Sequence, residues 1–267
     1  MLLPRILSAI VMVILFVCAV FVLEKSSFIL AMGGVVLLAG WEWARLSGFK
    51  SPLARLSFAV IVGVFCFLIY DQNAQKTILY IAPLLWLAAL YWVVSYPSLK
   101  LWQYKVARLL FGLLVLTTTW SSLAVLKEAH NFVAWVLLLM GLIWGADSGA
   151  YFSGKAFGKN KLAPHVSPGK SWEGVIGGLV FTQIGLAVYS CLVAFSITQW
   201  GTLAFIGLIT VAVSVLGDLT ESLFKRHESL KDSSRLIPGH GGVMDRVDSL
   251  TAAAPIFVLL LSVFGWL

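Results

Sequence analysis

Long apolar segments separated by shorter polar ones recur along the whole 267-residue chain. Most of these segments hold about 18 or more residues, the length that a helix needs to cross roughly 30 Å of hydrocarbon. We therefore expect an all-α, polytopic integral membrane protein. The pattern predicts nine membrane-spanning helices, at about residues 6–23, 28–46, 56–70, 78–96, 106–126, 132–152, 174–196, 202–218 and 250–267.

Two polar segments are longer than the others, at residues 153–173 and 219–249. Both are rich in Gly, Ser, Pro and charged residues, and loops of this length in a compact protein are usually functional or disordered. Polar side chains are sparse in residues 1–131 and more frequent in residues 132–267, and no internal repeat is visible. The sequence thus predicts one membrane domain, with hydrophobic N-terminal helices and a C-terminal half that carries the chemistry.

The composition and the distribution of charge support this picture. Apolar residues make up 60% of the chain and charged residues 12%, whereas soluble domains carry roughly 25% charged residues. Cytoplasmic loops retain Lys and Arg during membrane insertion. In the nine-span arrangement, 16 of the 19 basic residues fall on one side, at residue 5 and within 45–55, 100–108, 155–170 and 225–246.

The other side receives only Lys25, Lys76 and Lys127. This asymmetry predicts a cytoplasmic N-terminus, an outside C-terminus, and both long loops in the cytoplasm. We expect a multi-pass protein of the inner, cytoplasmic membrane, with an active site that faces the cytoplasm.

The remaining composition argues against two other classes of function. Cys18, Cys66 and Cys191 lie inside apolar segments, without the paired spacing or neighbouring His of a metal site. The formal net charge is +7, but the basic residues are dispersed and form no stripe beside aromatic residues, as a nucleic-acid interface would require. We expect membrane lipid, and no nucleic acid, as the partner of this charge.

Acidic residues near the ends of three predicted spans are the candidate catalytic residues. Asp147 ends the sixth span beside Gly and Ala. An acid at the edge of the hydrocarbon is functional by default, although a carboxylate that simply reaches water is the alternative. Asp218 and Glu221 share one helical face at the end of the eighth span, and Asp245 and Asp248 repeat the i, i+3 spacing before the ninth. Such oxygens suit Mg²⁺ bound together with substrate phosphates, whereas stabilisation of a helix N-terminus could explain Asp245 or Asp248 alone.

Basic and glycine-rich segments beside these acids are candidate phosphate-binding elements. Glycines let backbone N–H groups approach an anion, and Lys and Arg add charge-assisted hydrogen bonds; attraction to anionic lipid head groups is the alternative for the basic residues. The Gly-Lys-Ser sequence at 169–171 is no P-loop, because the first glycine of that motif would fall at position 164, a proline. Ser171 is instead expected to open the seventh span, where a helix N-terminus is itself an anion site. The candidates are Ser167, Lys170, Lys225, Arg226, Lys231, His240, Gly241, Gly242 and Arg246.

Residues 222–226, 231–232 and 236–248 closely resemble the signature of the phosphatidate cytidylyltransferase family. The similarity extends back through the 167–174 segment and the Asp147 motif, whereas the N-terminal half resembles the family only in hydrophobic character. The resemblance implies transfer of CMP from CTP to phosphatidic acid, which gives CDP-diacylglycerol and pyrophosphate in phospholipid biosynthesis.

The same resemblance implies a dinuclear metal centre with Asp218 and Asp245 as the principal ligands. Mg²⁺ is the expected cofactor and K⁺ is the candidate second cation. Glu221, on the same helical face as Asp218, is the third candidate ligand, and Asp147 and Asp248 are expected nearby.

Alternatives remain open at this point. A cytidylyltransferase for another lipid phosphate, such as an isoprenoid ether lipid, is the one that the sequence separates least well. An ion-coupled transporter is less favoured, because its acids should lie near the mid-plane between pseudo-symmetric halves. The pattern of a CDP-alcohol phosphotransferase is not found. The first six spans are expected to form a lipid-facing wall and a candidate homodimer surface. We expect Glu42 and Arg45 to form an i, i+3 structural pair.

Overall fold

The computed structural model describes residues 3–98 and 101–267, so Lys100, one of the basic residues assigned to the cytoplasm, lies outside the described residues. Helices dominate the described chain. They are α1 (Leu3–Phe21), α2 (Lys25–Leu46), α3 (Pro52–Asp71), α4 (Gln75–Ile78), α5 (Ala82–Ser95), α6 (Lys105–Glu128), α7 (Phe132–Phe157), α8 (Trp172–Leu192), α9 (Ile197–His227) and α10 (Met244–Val263). The shorter elements are 3₁₀ turns at Leu79–Ile81 and Leu101–Gln103 and a hairpin of β1 (Lys161–Ala163) and β2 (Ser167–Ser171).

Nine helical segments of the described chain are long and apolar enough to cross a membrane, when α4 and α5 are counted as one span through the 3₁₀ turn between them. Their number and order confirm the prediction of a polytopic helical membrane protein. Large apolar side chains of α1 point outward, and Leu7, Val13 and Leu15 are each more than half exposed. A helix in contact with lipid presents such a surface, since lipid tails are as apolar as leucine.

The helix that carries Asp218 is longer than its apolar stretch. α9 continues past Asp218 to His227, whereas the hydropathy pattern ends the span at Asp218. The extension buries Leu223 and Phe224, and its last turn is basic, which is favourable at the negative end of the helix dipole. Asp218 and Glu221 therefore lie inside a helix and not at its end, which corrects the placement inferred from hydropathy.

The predicted 153–173 loop contains ordered structure. α7 continues to Phe157, and the antiparallel β1–β2 hairpin follows directly before α8. Ser171 caps α8, since its hydroxyl oxygen accepts a hydrogen bond from the N–H of Gly174 at 3.1 Å. The prediction that Ser171 opens this span is confirmed, and the hairpin carries Lys170 against α9.

Glycines allow the closest contacts between helices. A Cβ atom at Gly149 of α7 would lie 3.0 Å from the Cα of Gly178 in α8, and one at Gly217 of α9 would lie 2.6 Å from the backbone oxygen of Asp248 in α10. Helices in lipid gain no hydrophobic free energy from association, so small residues that permit close packing favour their contact. The α9–α10 crossing brings the acids of the two helices together.

An aromatic cluster joins the N-terminal half to α9. Trp43 of α2 lies 5.7 Å from Phe224 of α9 and 6.1 Å from Phe111 of α6, measured between ring centroids. The Nε1 of Trp43 donates a hydrogen bond to the carbonyl of Arg108 at 2.9 Å, and a side chain at Gly112 would collide with this indole. The packing fixes α2 against the segment of α9 that follows Asp218.

Candidate active site

The five candidate acids form one cluster between α7, α9 and α10. The close crossing at Gly217 permits it, and electrostatic interactions connect its members. Carboxylates this near to one another repel, so the cluster requires cations to remain ionised. This acidic cluster consists of Asp147, Asp218, Glu221, Asp245 and Asp248.

Lys170 of the hairpin supplies one cation. Its Nζ lies 2.8 Å from the Oδ2 of Asp218 and 3.5 Å from the carbonyl oxygen of Val215. The Oδ1 of Asp218 accepts a hydrogen bond from the hydroxyl of Ser222 at 3.2 Å. The side chains of Lys170 and Asp218 are 25% and 33% exposed, so this edge of the acidic cluster is open to solvent.

Lys225 of α9 supplies a second cation at greater depth. Its Nζ lies 2.5 Å from the Oε2 of Glu221 and 2.8 Å from the Oδ1 of Asp245. Within the described residues, the Oε1 of Glu221 is buried without a hydrogen-bond partner. Because five carboxyl groups face two ammonium groups, the acidic cluster has a surplus of potential negative charge and is suited to attract cations.

Three donors hold the second carboxylate oxygen of Asp245. Its Oδ2 accepts hydrogen bonds from the N–H and hydroxyl of Ser233, at 2.9 and 2.8 Å, and from the N–H of Gly242 at 2.8 Å. Gly241 has a φ of +87°, a conformation that glycine adopts without strain. The glycine turn, predicted to bind phosphate, thus directs the N–H of Gly242 at a carboxylate of the protein; phosphate binding by Gly241 and Gly242 stays a prediction.

A cleft of about 360 Å³ opens beside Lys170. It lies between α7, the hairpin, the start of α8 and α9, and exposed Asp147 forms part of its wall. Its lining combines both signs of charge with small and apolar side chains, as a site for a polar ligand requires. The polar lining residues are Asp147, Tyr151, Lys155, Lys170 and Ser171.

Two further phosphate-binding candidates contact other parts of the protein. The Nδ1 of His240 lies 2.7 Å from the hydroxyl oxygen of Ser8 in α1, and Arg226 donates from Nε to the carbonyl of Val166 at 3.2 Å. The described contacts of these side chains do not include the acidic cluster, so their roles at phosphate stay predictions. The same is true of Ser167, Lys231 and Arg246, the last two being exposed.

The chain is similar to known proteins along its whole length. Residues 3–264 match the sequence model of the cytidylyltransferase family. The chain belongs to the cytidylyltransferase family. A phosphatidate cytidylyltransferase of Pseudomonas aeruginosa is 45% identical over 269 residues, which cover 100% of this chain and 99% of the relative.

Two further relatives carry the same name. A phosphatidate cytidylyltransferase of Haemophilus influenzae is 45% identical, with 96% of this chain and 97% of the relative aligned. One of Brucella suis is 36% identical, with 84% and 80% aligned. The resemblance inferred from the C-terminal motifs is confirmed, and the cytidylyltransferase match extends it into the N-terminal half.

Glu42 of α2, in that half, contacts the residues around Asp245, a connection that sequence reasoning missed. It does not pair with Arg45 as expected; its carboxylate accepts hydrogen bonds from Ser233, Ser234 and the start of α10. Arg45 instead donates to the carbonyl of Ser233 at 2.7 Å. An acid in an apolar helix was the available signal, but a basic residue three positions away offered a local explanation for it.

Proposed function

We propose that this cytidylyltransferase transfers CMP from CTP to phosphatidic acid and releases CDP-diacylglycerol and pyrophosphate. The observation that carries the proposal is that Lys170 and Lys225 contact the acidic cluster beside an open cleft. Relatives that align over nearly the whole chain are named phosphatidate cytidylyltransferases. The spans keep the enzyme in the bilayer, where its lipid substrate is dissolved.

In this reaction the protein mainly positions the two substrates and neutralises charge, and it needs to form no covalent bond to either of them. A phosphate oxygen of phosphatidic acid bonds to the α-phosphorus of CTP, while the bond from that phosphorus to the departing pyrophosphate breaks. The phosphate monoester is already deprotonated near neutral pH, so no general base is needed. Lys170 and Lys225 would contribute positive charge where negative charge develops, and the cleft would hold the two anions in line.

The residues of the acidic cluster fit a hard divalent cation. Asp218, Asp245 and Glu221 would hold it, because carboxylate oxygens are preferred ligands of Mg²⁺ and the buried Oε1 of Glu221 is unpartnered among the described residues. Within the described ranges these three side chains do not converge on one point, so one or two of them would bind the cation directly and the other would lie beside it. This suits Mg²⁺, which commonly uses one or two carboxylates together with substrate phosphates and water. A bound Mg²⁺ would supply Lewis-acid stabilisation of phosphoryl charge, and K⁺ remains our candidate second cation.

The orientation that we propose puts the acidic cluster at the cytoplasmic face of the inner membrane. The N-terminus would be cytoplasmic and the C-terminus outside. Support comes from the basic residues, of which only Lys25, Lys76 and Lys127 fall on the opposite side. Cysteines introduced near residues 160 and 235 should then react with an impermeant reagent only after intact cells are opened; labelling from outside would reverse the orientation.

The activity can be tested with purified protein, labelled CTP, Mg²⁺ and phosphatidic acid. We expect equal amounts of pyrophosphate and a lipid-linked CMP, and neither product when the lipid is left out. An isoprenoid ether lipid phosphate, supplied in a parallel reaction, tests the competing substrate. Turnover of that lipid alone would replace phosphatidic acid in the proposal, and absence of any lipid-linked CMP would refute it.

A further inference from the structure

Glu42 is a completely buried carboxylate in the second span. Its four hydrogen-bond donors all belong to the segment that leads into α10. Oε1 accepts from the hydroxyl of Ser234 at 2.5 Å and the N–H of Val243 at 3.0 Å, and Oε2 accepts from the hydroxyl of Ser233 at 3.0 Å and the N–H of Met244 at 2.6 Å. A buried anion is costly unless hydrogen bonds replace its lost water, and the positive end of the α10 dipole adds stabilisation.

Ser233 connects Glu42 to the acidic cluster. Its hydroxyl oxygen lies 3.0 Å from the Oε2 of Glu42 and 2.8 Å from the Oδ2 of Asp245. One hydroxyl proton serves one carboxylate at a time, while the N–H of Ser233 donates to Asp245 at 2.9 Å. Arg45, one turn along α2 from Glu42, donates to the carbonyl of Ser233 at 2.7 Å. Glu42 and Arg45 of α2 therefore both bind Ser233, which in turn donates to Asp245.

The glycine turn is shaped around this carboxylate. A Cβ atom at Gly242 would lie 2.5 and 2.6 Å from the two oxygens of Glu42 and would collide with the hydroxyl of Ser233. Only a glycine lets the three groups approach, and its N–H remains directed at Asp245. Met244, whose N–H binds Glu42, immediately precedes Asp245, so a shift at Glu42 moves Asp245 directly.

We propose that Glu42 is a positioning residue for the cytidylyltransferase reaction. It fixes the Ser233–Ser234 turn and the first turn of α10, and thereby sets where the carboxylate of Asp245 stands in the acidic cluster. The hydrogen-bond partners of Glu42 among the described residues are protein donors, so Glu42 would act through Asp245 and not by contact with substrate or cation. The inference rests on the proposed function for the task of Asp245, but the positioning can be measured without turnover.

The principal experiment compares wild type with Glu42→Gln. The amide has the same shape but only one acceptor oxygen, so two of the four donors lose their partner. We expect faster hydrogen exchange at the amides of Val243 and Met244, and kcat lower by about 10- to 100-fold with the half-saturating Mg²⁺ concentration raised about tenfold or more, as for loss of a group that orients a metal ligand. The KM for phosphatidic acid should stay near its wild-type value.

Two matched variants separate positioning from loss of stability. Glu228→Gln removes an ion pair to buried Arg108, at 2.7 Å, and should lower the thermal midpoint without changing the Mg²⁺ requirement. Glu128→Gln removes an exposed pair to Lys25, at 2.8 Å, and should behave as wild type.

Ser233→Ala, which keeps the buried carboxylate, should raise the Mg²⁺ requirement in the same direction as Glu42→Gln. The two effects should be less than multiplicative in the double variant.

The outcomes are distinct. Wild-type amide exchange and Mg²⁺ requirement in Glu42→Gln would overturn the proposal, as would an equal Mg²⁺ effect in Glu228→Gln. If Glu42→Gln does not fold, an unchanged Mg²⁺ requirement in Ser233→Ala would overturn it. If the wild-type protein makes no lipid-linked CMP, the proposed function fails, while the exchange of Val243 and Met244 still decides whether Glu42 holds this segment.

Discussion

The two lysines of the acidic cluster occupy different environments. Lys170 lies on a hairpin and makes one ion pair, with Asp218. The side chains of Lys170 and Asp218 are 25% and 33% exposed. Lys225 lies within α9 and bridges two acids; its side chain is 15% exposed, against 1% for Glu221 and 5% for Asp245. The same residue type thus forms an open contact at the cleft and a buried contact between two transmembrane helices.

This difference indicates that one lysine stabilises the site and that the other is accessible to substrate. A partly exposed ion pair contributes little to stability because water screens it, so Lys170 can leave Asp218 for an incoming phosphate at small cost. Removing one partner of a buried pair leaves an uncompensated charge, which is strongly destabilising. We infer that Lys225 belongs to the permanent architecture of the site, whereas Lys170 is the cation that can move with substrate.

The largest effect is expected from the acids themselves. Asp218→Asn and Asp245→Asn should each lower kcat on the order of 10³-fold, because each removes negative charge from the proposed cation site. The protein should remain folded in detergent, with a greater loss of thermal stability for Asp245→Asn, since the new amide must face the donors of Ser233 and Gly242. Asp71→Asn, at the exposed end of α3, is the control; near-normal turnover in either site variant would remove that acid from the proposed ligands.

Neutralising Lys225, the more deeply placed lysine, should have the next largest effect. Lys225→Met leaves Glu221 and Asp245 without their shared cation, and we expect the free energy of unfolding to fall by about 3–5 kcal/mol. Reversible denaturation in detergent measures it, beside Lys155→Met as an exposed control. A loss no greater than that of Lys170→Met would abolish the distinction between the two lysines.

A single methyl group at the α9–α10 crossing should produce a smaller loss. Gly217→Ala forces a Cβ against the backbone oxygen of Asp248, at a cost of about 1–3 kcal/mol for an overpacked contact, and it should reduce turnover by moving the two helices apart. Gly201→Ala is the matched control, because a Cβ there meets no atom of the described structure within 4 Å. Equal stability of the two variants would show that the close crossing is not required.

The smallest loss of stability is expected from the open lysine. Lys170→Met should change the free energy of unfolding by less than about 1 kcal/mol, yet raise the KM for CTP, because the cleft loses one of its two lysines, the one beside Asp218. Steady-state kinetics at low and high salt test this, since screening should weaken the wild-type contact with CTP. An unchanged KM at low salt would argue that Lys170 does not meet the nucleotide.

The polar segment at 153–173 illustrates where local sequence succeeds. Ser171 precedes the seventh apolar run, and a Ser in that position commonly accepts a hydrogen bond from the first turn of a helix. That local rule predicted the start of α8 correctly. The hairpin before it was not predicted, because its strands are three and five residues long and carry no alternating apolar pattern.

The helix α9 illustrates where hydropathy misleads. Its apolar run ends near Asp218, but the helix continues to His227 because Leu223 is buried and Phe224 packs against the aromatic cluster of the N-terminal half. Propensity and hydropathy describe neighbours along the chain, whereas this extension depends on contacts with α2 and α6.

By itself, the sequence determined the number and order of the spans, the membrane class, the family resemblance and the candidate acids. The physical reason is that a helix needs about 20 apolar residues to cross the lipid, and that a charge within the lipid is costly. Both the spans and the acids within or beside them can therefore be recognised from the local sequence. Only the tertiary structure decided which cation meets which acid, and that Glu42 reaches Ser233, 191 positions away, rather than Arg45 beside it. Such pairings depend on how closely the helices pack, which is set by glycines and aromatic side chains distributed over the whole chain.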